Sequence, residues 1–138
     1  MYNIKKSILS FFAFTVIVFS QDFDSDIVDT EQHTFSVSLF SEGYEIPWGM
    51  AFLPNRDLLV SDRSGKLYRV SLDGKMRVEI SGVPKVLYKS QGGLLDVAVH
   101  PEFSKNNLVY ISYSHAINRK SFTRIAMAKL VENRLVDL

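Results

Sequence analysis

No cysteine occurs among the 138 residues of this chain. That absence excludes disulfides, thiol nucleophiles and thiolate metal sites together, and leaves packing as the source of stability. Charge of one sign is missing as well. The chain carries 16 Lys and Arg against 15 Asp and Glu, interspersed to a formal net charge of +1. No basic stripe therefore marks a nucleic-acid partner. Helical periodicity is scarce, since almost no stretch sustains an amphipathic helix of three turns. There is no low-complexity tract, and the length leaves no room for a second catalytic domain.

What is present begins with an export signal. Lys5 and Lys6 precede an almost wholly apolar run at 8–19, about a dozen residues and too short for a hydrocarbon layer of roughly 30 Å. Residues 1–20 read as a secretory signal peptide, cut before Gln21, with Val18 and Ser20 small enough for the peptidase pocket. No lipobox cysteine suggests a lipid anchor. The expected location is periplasmic or secreted, with no membrane contact after cleavage. Asp22, Asp24, Asp26, Asp29 and Glu31 then form a solvated acidic linker over residues 21–33.

From Thr34 onward the signal is β. Runs rich in Val, Ile, Leu, Phe and Tyr at 35–40, 48–53, 58–61, 67–70, 76–80, 94–99, 108–113, 123–130 and 134–138 alternate with turn residues. Asp73-Gly74 is the strongest hairpin signal, because glycine tolerates positive φ. A repeat runs through the series. Gly49-Met50-Ala51-Phe52-Leu53-Pro54 recurs as Asp96-Val97-Ala98-Val99-His100-Pro101, an offset of about 47 residues that fits a four-stranded propeller blade.

Two antiparallel blades are predicted over residues 34–138, beginning near Trp48 and Leu94. Their inner strands read as continuously apolar, as strands buried on both faces do. Trp48 is expected to fill the blade core, and the alternating run 35–40 is expected to serve as a closure strand. Two blades cannot close a ring of roughly four to eight. The chain therefore reads as an N-terminal fragment, the alternatives being closure by several short chains or a small β-sandwich.

Blade topology sorts the loops. Residues 44–48, 62–65 and 81–93 fall on one end, the site face; residues 54–56, 72–74 and 100–107 fall on the other. On the site face Gln91 offers an amide donor and acceptor, and Gly92-Gly93 let a ligand approach the backbone. Gln91 either contacts a ligand or satisfies loop carbonyls. Asp62 and Arg63 either bind polar ligand groups or lock a turn as an ion pair. His33 lies in the leader and none of the histidines shows metal spacing. His100, beside Pro101 on the far end, is expected to cap backbone groups, while His115 is a rim candidate.

The motifs Gln91-Gly92-Gly93-Leu94-Leu95-Asp96-Val97-Ala98-Val99-His100-Pro101-Glu102-Phe103, Ile46-Pro47-Trp48-Gly49-Met50-Ala51-Phe52-Leu53-Pro54 and Asn107-Leu108-Val109-Tyr110-Ile111-Ser112-Tyr113 resemble the soluble glucose/sorbosone dehydrogenase family, most closely its aldose sugar dehydrogenase branch. The resemblance covers residues 44–138 and implies the N-terminal third of a six-bladed all-β propeller that oxidises aldoses at C1 to lactones with pyrroloquinoline quinone. It implies a calcium ion polarising the quinone, a small sugar as substrate and an electron acceptor of unknown identity. It also implies that Gln91 contacts the sugar, and that a histidine in a later His-Phe-Gly type motif, absent up to Leu138, takes the proton as hydride passes to the quinone. No catalytic or metal-ligating residue is then expected in this chain, and the chain alone is expected to be inactive. Two other readings are a secreted propeller that binds without redox turnover, and a lactonase-like hydrolase whose metal would draw on Asp62 and Asp96.

Overall fold

The computed structural model describes residues 26–138 apart from Arg119. The expected signal peptide lies outside the described residues. The chain divides after Ser38. Before that point, β1 (Asp26–Asp29) and β2 (Thr34–Val37) form a two-stranded antiparallel ribbon. Within the segment expected as a solvated linker, Asp26–Asp29 is an exposed strand. Its turn is closed by Thr30, whose hydroxyl donates to the His33 carbonyl at 2.8 Å, and Thr34 Oγ1 donates to Asp29 Oδ1 at 2.7 Å. β2 stops at Val37 and pairs with β1.

Residues 39–138 build two four-stranded antiparallel sheets. The first runs in the order β3 (Pro47–Phe52), β4 (Leu58–Asp62), β5 (Lys66–Val70), β6 (Arg77–Ile80). The second runs β7 (Leu94–Val99), β8 (Leu108–Ile117), β9 (Lys120–Val131), β10 (Arg134–Val136), with the single turn of α1 (Phe103–Asn106) between β7 and β8. Each sheet is a meander whose strands follow in chain order, as a propeller blade requires. Among the described residues no helix is long and apolar enough to cross a membrane.

Turn chemistry sets the register. At Asp73-Gly74, Asp73 Oδ1 accepts the Ser71 hydroxyl at 2.6 Å and the Lys75 amide at 3.1 Å, and Gly74 adopts φ 72°. A side chain at Gly74 would also strike the Phe40 carbonyl, so glycine is required twice over. In the β3–β4 turn, Asp57 Oδ2 accepts from Asn55 Nδ2 at 2.8 Å and Arg69 Nε at 2.7 Å. The β8–β9 hairpin is longer than the apolar runs suggest, with pairing continuing from Leu108↔Lys129 to Ile117↔Lys120.

The principal core lies between the two sheets. Leu53, Leu59, Leu67 and Ile80 of the first blade meet Leu94, Val97, Val109, Ile111, Ala128, Leu130 and Leu135 of the second, with Val83 and Val86 wedged in from the connecting loop. Burying side chains of this kind stabilises by about 1.5–3 kcal/mol each before entropy is counted. At the outer margin Ser81 bridges to Arg134, its amide donating to the Asn133 carbonyl at 3.0 Å. A smaller cluster of Leu58, Val60 and Val70 sits on the other face of the first blade under Tyr44. Arg77 fastens that cover: its guanidinium lies 4.9 Å and 4.8 Å from the Tyr44 and Tyr68 ring centroids and donates to the Glu42 carbonyl at 2.7 Å.

The inner strand β3 is not buried on both faces. Trp48 is 48% exposed and Met50 and Phe52 are each 69% exposed, so Trp48 does not fill the blade core. Only the Gly49 and Ala51 side of β3 packs against the second blade; the face carrying Met50 and Phe52 is open.

Candidate functional site

Asp62 lies at the expected site end. It ends β4 fully buried, and its carboxylate accepts four hydrogen bonds. Oδ2 takes the Glu45 amide at 2.7 Å and the Ile46 amide at 3.2 Å, while Oδ1 takes the Ser64 amide at 2.9 Å and the Ser64 hydroxyl at 2.7 Å. Burial pushes its pKa up, but the Ser64 hydroxyl and the Ser64, Glu45 and Ile46 amides outweigh burial and hold the carboxyl below its ordinary value. Asp62 is thus committed to the entry loop and the β4–β5 turn. It forms no ion pair with Arg63, because local backbone donors already satisfy it.

Arg63 turns toward the connecting loop. Its amide donates to the Ile46 carbonyl at 2.9 Å, and its carbonyl accepts from Leu94 at 3.2 Å. Its guanidinium lies 5.2 Å from the Tyr88 ring centroid, and its Nε is buried without a partner. Tyr88 in turn donates its hydroxyl to Glu45 Oε1 at 2.5 Å. Glu45, Arg63 and Tyr88 therefore tie together the three loops that sequence topology places at this end.

The loop carrying Gln91 is anchored on β8. The Leu87 amide donates to the Ser114 carbonyl at 2.7 Å, the Ser114 amide to the Gly93 carbonyl at 2.8 Å, and the Gly92 amide to the Lys89 carbonyl at 2.9 Å. Gly92 and Gly93 do not open a path for a ligand. A Cβ on Gly92 would meet Ser114 Oγ at 2.8 Å and the Leu87 carbonyl at 2.9 Å, and one on Gly93 would collide with the Arg63 carbonyl. The glycines are needed because protein packs against them. Gln91 itself is exposed, in the wall of a recess of about 290 Å³ formed with Leu87, Lys89, Ser114, Phe122 and Thr123. An amide, an ammonium group, two hydroxyls and an aromatic ring meet there, which is the chemistry that holds a polyhydroxylated ligand. Phe122 and Thr123 were not legible as site residues, because the pairing of the extended β8–β9 hairpin brings them there.

Neither His100 nor His115 lines this recess, although His115 packs on its Phe122. His100 Nδ1 lies 2.9 Å from the Glu102 amide and 3.0 Å from Asn106 Nδ2, capping the turn as expected, and its ring stacks 6.1 Å from Tyr110. His115 is half-buried between Tyr113 and Phe122, with ring centroids at 6.1 Å and 5.9 Å. His33 belongs to the β1–β2 ribbon. Asp96 Oδ1 accepts from the Val97 amide at 2.9 Å. Among the described residues no three acidic or histidine side chains are grouped to hold a metal ion. A recess of about 390 Å³ at the opposite end, beside Pro54, Asn55 and Phe103, contains one cation, Arg69, already paired with Asp57.

Two consecutive four-stranded blades, with a polar recess at the end where the connecting loops converge, define a β-propeller enzyme or binding protein. The chain belongs to the glucose/sorbosone dehydrogenase family, whose family model matches residues 44–138. It is 41% identical over 121 residues to an uncharacterised protein of Synechocystis, the match taking in 81% of this chain and 29% of that protein. It is 37% identical over 82 residues to the aldose sugar dehydrogenase YliI of Escherichia coli, taking in 59% of this chain and 22% of that protein. The solved PQQ-bound form of aldose sugar dehydrogenase from Streptomyces coelicolor superposes with a TM-score of 0.62 at 29% identity, over 79% of this chain and 29% of that one. The chain thus spans under a third of the length of each of these relatives.

Proposed function

We propose that this chain supplies one wall of the sugar site in an exported, pyrroloquinoline-quinone-dependent aldose dehydrogenase that oxidises the sugar at C1 to a lactone. The observation that carries the reading is the placement of Gln91. It is exposed, on a loop held to Ser114 by two backbone hydrogen bonds, at the recess where hydroxyls and an aromatic ring converge. A quinone cofactor, when bound, accepts the electrons of the oxidation. The part of this chain is to bind and orient the sugar: Gln91 gives and accepts hydrogen bonds, while Asp62 and Arg63 hold the loops in register from behind. The residues described do not fit a calcium site, and the cations near Gln91 are Lys89 and Arg63. Neither calcium coordination nor the proton-abstracting base is therefore assigned to this chain.

The test is a chimera in which residues 44–138 replace the matching segment of E. coli aldose sugar dehydrogenase. Supplied with quinone and calcium, it is expected to reduce a dye with aldoses. Gln91→Ala should lower kcat/KM by about three- to tenfold, the loss of one hydrogen bond worth roughly 0.5–1.5 kcal/mol, with quinone binding unchanged. A chimera that folds and binds quinone yet turns over no aldose would refute the dehydrogenase reading. Sugar binding without turnover would favour a non-catalytic binding role.

Export follows from Lys5, Lys6 and the apolar run 8–19. Intact-mass measurement on periplasmic material should find Gln21 at the N-terminus. A chain found only uncleaved in the cytoplasm would remove this part of the proposal.

A further inference from the structure

Blade two reaches further at the site end than blade one does. Blade one turns at Asp62↔Lys66, directly after Ser61, whereas beyond the matching Ser112 the β8–β9 hairpin continues through Ser114↔Thr123, His115↔Phe122, Ala116↔Ser121 and Ile117↔Lys120. These pairs have no counterpart in blade one. At roughly 3.4 Å per residue they carry the hairpin about 14 Å past the point where the shorter blade ends.

Side-chain alternation divides this extension into two faces. Tyr113 is buried in the core shared with blade one, so His115 and Ile117, with their partners Phe122 and Lys120, lie on its side of the hairpin, as does Arg124, the partner of Tyr113 itself. That side looks over blade one of the same chain. Ser114 and Thr123, which border the Gln91 recess, occupy the other. The connecting loop runs beneath the hairpin, held by the bond from the Leu87 amide to the Ser114 carbonyl. Between loop and hairpin is a recess of about 300 Å³ lined by Lys85, Val86, Leu87, His115 and Ala116, at the small end of the range for ligand pockets. Phe122 packs on His115 beside it, and Lys85 and His115 also border a neighbouring hollow with Arg124.

Charge is segregated here, although it nearly balances over the whole chain. Residues 81–95 and 108–131 include Lys85, Lys89, Lys120 and Arg124 and contain no Asp or Glu. Among the described residues none of these four cations is in an ion pair. The carboxylates of blade one are engaged elsewhere: Asp62 with the backbone, Glu45 with Tyr88 and Glu79 with Lys66. An apolar and aromatic floor with cations at its rim selects a ring that bears an anion. A bare phosphate or sulfate gains nothing from Val86, Leu87 and the rings, and a neutral sugar gains nothing from the cations. A pyranose with a carboxylate uses both, laying its C–H face on the floor and its carboxylate against Lys85 or Arg124.

We propose that this recess is a second carbohydrate site, on the face of the hairpin opposite Gln91, and that it binds a hexuronate, either free or as a unit of an acidic polysaccharide. The site involves no redox step. It stands whether or not Gln91 contacts an aldose.

Calorimetric titration with galacturonate, its trimer and the corresponding neutral galactose ligands tests this, on the chain and in parallel on the chimera described above. The acidic ligands are expected to bind about tenfold more tightly than the neutral ones, and to weaken as salt rises from about 20 to about 200 mM. Lys85→Gln and Arg124→Gln should each weaken binding by about two- to fivefold, the worth of one exposed ion pair. The double variant should bind the acidic and neutral ligands alike, and Gln91→Ala should bind as wild type does. A trimer that binds more tightly than the monomer marks a polysaccharide as the ligand, and equal affinities mark the free sugar acid. Absence of binding by both acidic ligands overturns the proposal, as does equal binding of the neutral ones or displacement by sulfate at equal concentration. So does a double variant that retains wild-type affinity. Loss of binding in Gln91→Ala also overturns it, since the ligand would then sit in the recess on the other face.

Discussion

Asp62→Ala is expected to lower the unfolding free energy by about 3–5 kcal/mol, read as a fall in the urea midpoint with little change in slope. Its carboxylate satisfies the backbone amides of Glu45, Ile46 and Ser64 at 2.7–3.2 Å with no exposure to water. Each buried donor left unpaired costs about 1–3 kcal/mol, and a loss of this size is at the upper end for one substitution. Asp62→Asn should lose less, since one acceptor oxygen survives. The pH dependence follows from the direction of the shift. Hydrogen bonding holds the folded-state pKa of Asp62 below its unfolded value. Its stabilisation is therefore fully present above a pH of about 4 and is lost as pH falls through the lower folded value. Asp57 acts in the same sense: burial raises its pKa, but Asn55 and Arg69 together pull it below normal. Acid titration followed by circular dichroism should show wild type losing stability below about pH 4 and Asp62→Ala losing correspondingly less over the same interval. A variant as stable as wild type at neutral pH would refute the role assigned to this carboxylate.

Gly49→Val is expected to part the two blades. Space for a side chain at Gly49 is taken by the Asp96 carboxylate and, at 3.0 Å, by its Cα. A backbone atom cannot swing aside as the end of a flexible side chain can, so the inner strands must separate, which also strains the bond from Ser61 to the Leu95 carbonyl. Overpacking of a tight site costs about 1–3 kcal/mol, and loss of the buried serine bond adds about 1 kcal/mol. The chain holds one tryptophan, Trp48, next to the substituted residue, so its emission reports the opening directly. The expected result is a shifted emission maximum together with a loss of about 3 kcal/mol. Gly49→Ala should fall between valine and wild type. Unchanged emission and stability in the valine variant would show that the inner strands do not approach as described.

Much of the fold was legible because blade strands announce themselves locally. The runs at 58–61, 67–70 and 94–99 became β4, β5 and β7 with ends displaced by at most one residue, since each is bounded by turn residues whose chemistry is local. Asp73-Gly74 and His100 behaved as their own types and near neighbours dictate. Where the reading failed, the deciding partner lay far along the chain. Gly92 and Gly93 look like a ligand opening until Ser114 and Arg63 are brought against them. Trp48 looks like a core residue until β3 is seen to bury its other side. The strand Asp26–Asp29 hides in an acidic stretch because its stability derives from pairing with β2 and not from burial. The hydroxyls of Ser61 and Ser112 acquire meaning only across a bulged strand.

The family, the two-blade repeat and the loops that share an end could all be read from the residues, because these rest on local pattern and on the fixed alternation of a meander. It took the folded arrangement to show that Asp62 serves the backbone and not a ligand. That arrangement also decided that Gly49 and Ser61 weld the blades and that Phe122 and Thr123 join Gln91 around one recess. Those outcomes depend on contacts between separate segments of the chain, such as Gly49 with Asp96 and Gln91 with Phe122, which packing sets and composition does not encode.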